Sequence, residues 1–256
     1  FVVTDYGSIG EMNNHGFGDL QNCSAMALKA GTDMDMCTQG FVKTLEQSLT
    51  EGKVTMAEID QACRRILEAK YKLGLFKDPY KYLDASRRKR DIFTAENRAV
   101  ARKLAAESFV LLKNEGQLLP LQKKGKIALI GPLANTKANM AGTWCVAYTP
   151  DRYSTLKEGL ERAVAGKAEL LYAQGSNLTA DEALQKAAEF GKTIPRGDDQ
   201  KLKAEALKIA KQSDVIIAAM GECADMSGES SSRSDLELPD VQLSLLREPV
   251  ATGKPV

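Results

Sequence analysis

Residues 127–132 read Ile127-Ala128-Leu129-Ile130-Gly131-Pro132, four apolar residues in a row and then a glycine and a proline. A short unbroken apolar run stopped by turn-forming residues predicts a strand covered on both faces, as in a parallel sheet. Working outward, Ala168–Ala173 and Val215–Met220 predict two further strands. Helices are expected around Thr155–Val164, Ala180–Phe190 and Asp199–Gln212. Strands separated by helices predict an αβα sandwich with a mainly parallel sheet. We place it at residues 126–256 and read it as truncated at its C-terminal end, because Gly253-Lys254-Pro255-Val256 looks like the start of a strand.

The first 76 residues repeat the alternation with shorter pieces. Phe1–Thr4 and Asp33–Met36 predict short strands, and helices are expected over Leu20–Lys29 and from Phe41 to about Leu49. Thr55 and Glu58 have the spacing of a capping box, in which each side chain satisfies an orphan amide at a helix start. The helix they open carries Ile59, Ala62, Cys63, Ile66 and Leu67 along one face, and Gly74 suits its end. Residues 78–125 read as a linker, with turn-forming Asp78-Pro79-Tyr80 and the basic run Arg87-Arg88-Lys89-Arg90 as a solvated face. A helix is expected from Ala95 to about Ser108.

Composition narrows the function classes. The chain has 256 residues, 43% hydrophobic and 27% charged, the balance of a globular chain of one large or two modest domains. Thirty-five Lys and Arg against 34 Asp and Glu leave a net charge of +1. That carries no broad positive field, so neither nucleic acid nor an anionic membrane surface is expected as a partner. The apolar run Val215–Met220 is far short of the ~18 residues of a membrane span. Five scattered cysteines (23, 37, 63, 145 and 223) without a CxxC pair read as single buried thiols. His15 is the one histidine, so no multi-histidine metal site is expected, and no cofactor.

Two acidic positions draw attention. Asp5 directly follows an apolar strand, and ligands gather beyond the carboxyl ends of parallel strands; a turn or a helix cap is its alternative use. The second lies in Gly221–Arg233, a loop of small polar residues after the 215–220 strand that holds Glu222, Asp225, Glu229 and Arg233. Glu229, between Gly228 and Ser230, reads as an exposed carboxylate. The loop lacks GxxxxGK[ST] and GxGxxG, which argues against a nucleotide phosphate cradle.

In order along the chain, these segments resemble glycoside hydrolase family 3. Phe1-Val2-Val3-Thr4-Asp5-Tyr6 is similar to that family's VVSDW segment. The resemblance continues through His15-Gly16, Ala30–Met36, Lys72–Phe76, Ser108–Asn114 and Leu118–Leu121. It extends to Ile130-Gly131-Pro132, Gly142-Thr143-Trp144, Ser227-Gly228-Glu229 with Arg233, and Leu238-Pro239 with Gln242.

The resemblance implies a (β/α)8-type barrel followed by the sandwich, with residues 1–77 as the C-terminal part of the barrel. An eight-stranded barrel takes ~200 residues or more, so the sequence reads as an internal piece of a longer protein. The resemblance further implies a retaining glycoside hydrolase that releases terminal non-reducing β-D-glucose from β-glucosides or oligosaccharides. Asp5 would be the nucleophile, Glu229 the acid/base, and Tyr6 and Arg233 substrate-binding residues, with no metal. A periplasmic or secreted location follows from it too, and a homodimer is left open. The alternatives are a β-xylosidase or exo-glucanase of the same family, or a non-catalytic carbohydrate-binding module.

Overall fold

The architecture comes from a computed structural model that describes residues 1–137, 140, 142, 144, 149–187, 194–223, 226, 228 and 231–256. The chain divides into two units, Phe1–Val110 and Leu111–Val256.

In the second unit the 127–132 stretch is the middle of a sheet. Three parallel strands, β1 (Lys126–Ile130), β2 (Glu169–Ala173) and β3 (Val215–Ala218), lie in the order β2-β1-β3. Ile127 pairs with Leu170 on one side and Val215 on the other, and the register holds through Ile130, opposite Ala173 and Ala218. Ala128 and Ile130 face a core built with Ala206, Ala210, Ile216 and Leu245. Ile127 and Leu129 point the other way and are buried too, which is why the run has no polar alternation. The alanines at 206 and 210 keep their helix thin where it meets the sheet.

The longer helices among the described residues of this unit are Leu156–Val164, Asp199–Gln212 and Asp240–Ala251. Thr155 and Glu158 form a capping box at the first, and the Asp198 carboxylate caps the second. The third is absent from the sequence expectation. It starts at Pro239 and keeps Pro249 in its last turn, and a proline there reads as a breaker. A short helix, Glu182–Ala187, stands where 180–190 was expected; positions 188–190 lie outside the described residues. The Pro255 carbonyl accepts the Ile216 amide at 2.9 Å.

In the first unit the two predicted strands meet as a single parallel bridge, Val3 to Met34. Helices run over Ser8–Asn14, Leu20–Lys29, Gly40–Thr50, Met56–Lys72, Arg87–Arg90 and Ala95–Glu107. The core joins Ala25, Leu28, Leu45, Val54 and Ala62. Both halves of the Thr55–Glu58 capping box form. Gly74, at φ +76, closes the same helix, with its amide on the Tyr71 carbonyl and the Leu75 amide on the Lys70 carbonyl.

Along Met56–Lys72 only Ala62 is fully buried, while Cys63 and Leu67 are exposed; apolar periodicity tells which side of a helix is apolar, not how much of it a neighbour covers. The cysteine expectation needs correction. Cys23 and Cys223 are buried as expected, but Cys37 and Cys63 are exposed, and Cys145 lies outside the described residues. The basic run is a four-residue helix on the surface, where Arg90 pairs with Asp84 and Asp91, and Arg87 with Asp91.

Candidate active site

In the first unit a ladder of backbone bonds aims Asp5. The Met34 amide reaches the Val2 carbonyl, and the Thr4 amide reaches the Met34 carbonyl at 3.0 Å. The Met36 amide then bonds the Thr4 hydroxyl, and the Gly7 amide bonds the Met36 carbonyl. Asp5 thus stands just past the end of a parallel pair, exposed, with one carboxylate oxygen accepting the Tyr6 amide at 2.7 Å. The Tyr6 ring is 73% exposed. A solvent-facing carboxylate beside an open aromatic face can attack an electrophilic carbon while the ring stacks on a flat, weakly polar ligand face.

The base of the ladder is held by a charge. The Asp33 side chain is buried and accepts the Val2 amide at 2.8 Å and the Arg65 guanidinium at 2.9 Å. Burial raises its carboxyl, but the Val2 amide and Arg65 more than offset that and hold it below the usual carboxylate range.

In the second unit the chain goes from β1 to β2 on one side and to β3 on the other, so the strand order reverses at the carboxyl ends of β1 and β3. Open α/β sheets gather ligands at such a switch point. The loop that leaves β3 passes through Gly221, and within it Arg233 pairs with Glu222 and donates to the Glu237 carbonyl at 2.8 Å. Arg233 also lines a cavity of about 460 Å³ with Met226, Ser231, Ser232, Asp235 and Leu238.

Of the four residues singled out from the sequence, Asp5 and Tyr6 therefore lie together in the first unit and Arg233 in the second. Glu229 lies outside the described residues, as does Asp225 of the same loop. Among the described residues no group of three or more His, Cys, Asp or Glu is placed to hold a metal ion. Asp33, to which the sequence gives no role, is fixed by partners 31 and 32 residues away and carries no local signal.

Comparison with known proteins identifies the class to which these α/β units belong. Residues 109–256 match the glycosyl hydrolase family 3 C-terminal domain and residues 1–69 the glycosyl hydrolase family 3 N-terminal domain. The chain belongs to glycosyl hydrolase family 3.

Among its relatives is a periplasmic beta-glucosidase of Salmonella typhimurium, 40% identical over 263 residues, covering 100% of this chain and 34% of that protein. A beta-xylosidase of Formosa agariphila is 32% identical, covering 100% of this chain and 35% of its own length. The crystal structure of a beta-glucosidase from Listeria innocua in complex with isofagomine superposes with a TM-score of 0.82 at 32% identity, over 99% of this chain and 33% of that one. The chain thus spans about a third of the length of these relatives. The α/β reading with a parallel sheet agrees with both the fold and the family.

Proposed function

We propose that this chain belongs to a retaining β-glucosidase that releases terminal non-reducing β-D-glucose from β-glucosides or oligosaccharides. The observation that carries the reading is Asp5, exposed just past the parallel pair with the open ring of Tyr6 beside it. Asp5 attacks the anomeric carbon as the glycosidic bond breaks, and Glu229 passes its proton to the departing oxygen. In the second step Glu229, now a carboxylate, takes a proton from water. That water attacks the anomeric carbon and frees the Asp5 carboxylate. Retaining chemistry needs the two carboxyl groups ~5–5.5 Å apart.

Tyr6 offers a stacking face beyond the cleaved bond. Arg233, oriented by Glu222, offers hydrogen-bond donors to sugar hydroxyls. Residues 1–77 serve as the C-terminal part of a barrel, 78–125 as a linker and 126–256 as the sandwich. The family matches at 1–69 and 109–256 support a two-domain reading, with the second match beginning within residues 78–125. The relative named a periplasmic beta-glucosidase supports a periplasmic location.

A second reading, β-xylosidase, is favoured by the Formosa agariphila relative of that name. A panel of nitrophenyl glycosides on the full-length protein decides between them, with the anomeric form of the first-released sugar followed by NMR. The expected result is fastest release from the β-glucoside with the β-anomer appearing first. A faster β-xyloside selects the second reading, and first release of the α-anomer overturns the retaining mechanism.

A further inference from the structure

Gln242, on the first turn of Asp240–Ala251, is fully buried, and its carboxamide makes three hydrogen bonds. Its Nε2 donates to the Leu178 and Gly221 carbonyls, both at 2.8 Å. Its Oε1 accepts the Gly221 amide at 2.9 Å. The side chain thus engages both polar groups of Gly221, as a neighbouring strand would, at the point where the chain leaves β3. Leu178 belongs to the loop that leaves β2, and it is fixed from its other side. Its amide donates to Gln185 Oε1, which also accepts from Arg196, while Gln185 Nε2 donates to the Ile194 carbonyl.

Gln242 therefore ties together the loops at the carboxyl ends of β2 and β3, and Gln185 holds the β2 side in place. A buried amide makes bonds of this kind only in one arrangement, because any other leaves polar groups unpaired at ~1–3 kcal/mol each. An apolar residue would fill the same space without fixing where Gly221 sits.

We propose that Gln242 is a positioning residue for the start of the loop after β3: by clamping Gly221 to Leu178 it sets the direction in which Glu222, paired with Arg233, leaves the sheet. This rests on the proposed glycosidase reading, in which a carboxyl group of that loop is the general acid. A displaced acid penalises substrates whose leaving group needs a proton and spares those whose leaving group departs unaided.

The test uses Gln242→Met and, should that variant fail to fold, Gln242→Asn, which keeps the carboxamide one methylene shorter. Both are made in the full-length protein. kcat/KM is measured on cellobiose and on a dinitrophenyl β-glucoside, alongside hydrogen exchange of the peptide covering 219–237. The expected result is a loss of about 10- to 100-fold on cellobiose, less than about threefold on the aryl glucoside, and faster exchange in that peptide. Equal losses on both substrates, unchanged rates, or unchanged exchange overturn the assignment. Failure of the glycosidase reading shows separately, as a wild-type protein inactive on both substrates; exchange of the 219–237 peptide then still decides whether Gln242 anchors the loop.

Discussion

Replacing Gly131 with alanine strikes the point where β1 gives way to its loop. Gly131 has φ +116, and a Cβ there would overlap the Ala219 carbonyl oxygen, with the carbonyl carbon at 2.7 Å. Both neighbours are backbone, so no rotamer relieves the overlap. An L-residue at such a φ costs roughly 1–3 kcal/mol. Pushing the Ala219 peptide away also strains its bonds to the Ile130 carbonyl (2.7 Å) and the Leu133 amide (3.4 Å), at ~1 kcal/mol each. The sum is about 3–5 kcal/mol, a large part of the ~5–15 kcal/mol that holds a domain together.

Gly166 is the control. It too has positive φ, +69, but nothing lies within 4 Å of its Cβ position, so Gly166→Ala bears only the backbone cost of roughly 1–2 kcal/mol. In a thermal melt followed by circular dichroism, at ~2–4 °C per kcal/mol, Gly131→Ala should fall about 10 °C and Gly166→Ala by less than half of that. Equal shifts in the two variants refute the reasoning, because they remove any role for the close approach of Ala219.

Glu229→Ala should cost far more on cellobiose than on a dinitrophenyl glucoside, and added azide should speed the aryl substrate and yield a β-glycosyl azide; azide rescue in Glu222→Ala instead moves the acid/base to Glu222. Asp33 titrates lower in the folded chain than in the unfolded one. Its stabilisation is therefore complete above the ordinary Asp value of ~3.9 and lost as pH falls through the lower folded value. Urea midpoints of the wild type and Asp33→Asn should accordingly differ at pH 6 and converge towards pH 3, and a constant gap would show that the charge is not what holds the Val2 strand.

The elements with strong local signals were legible from residues alone. The Ile127–Ile130 run, the Thr55–Glu58 box and the Leu20–Lys29 and Asp199–Gln212 helices stand where the sequence places them. What escaped depends on partners distant in sequence. The exposure of Cys63 and Leu67 turns on which neighbours reach their helix, and the Asp240–Ala251 helix is masked by Pro249, tolerated in its last turn. At the site, Asp5 and Tyr6 are marked by their place after a strand, whereas nothing local marks Asp33 or the reach of Gln242 to Leu178, 64 residues away.

The central claim is that Asp5 forms the covalent bond to the sugar. Incubating the full-length protein with a 2-deoxy-2-fluoro-β-glucosyl fluoride and mapping the adduct by peptide mass spectrometry tests it directly. The account predicts one fluoroglucosyl group on Asp5, in the peptide containing Val2-Val3-Thr4-Asp5-Tyr6, and none in Asp5→Asn. An adduct on any other carboxylate contradicts it.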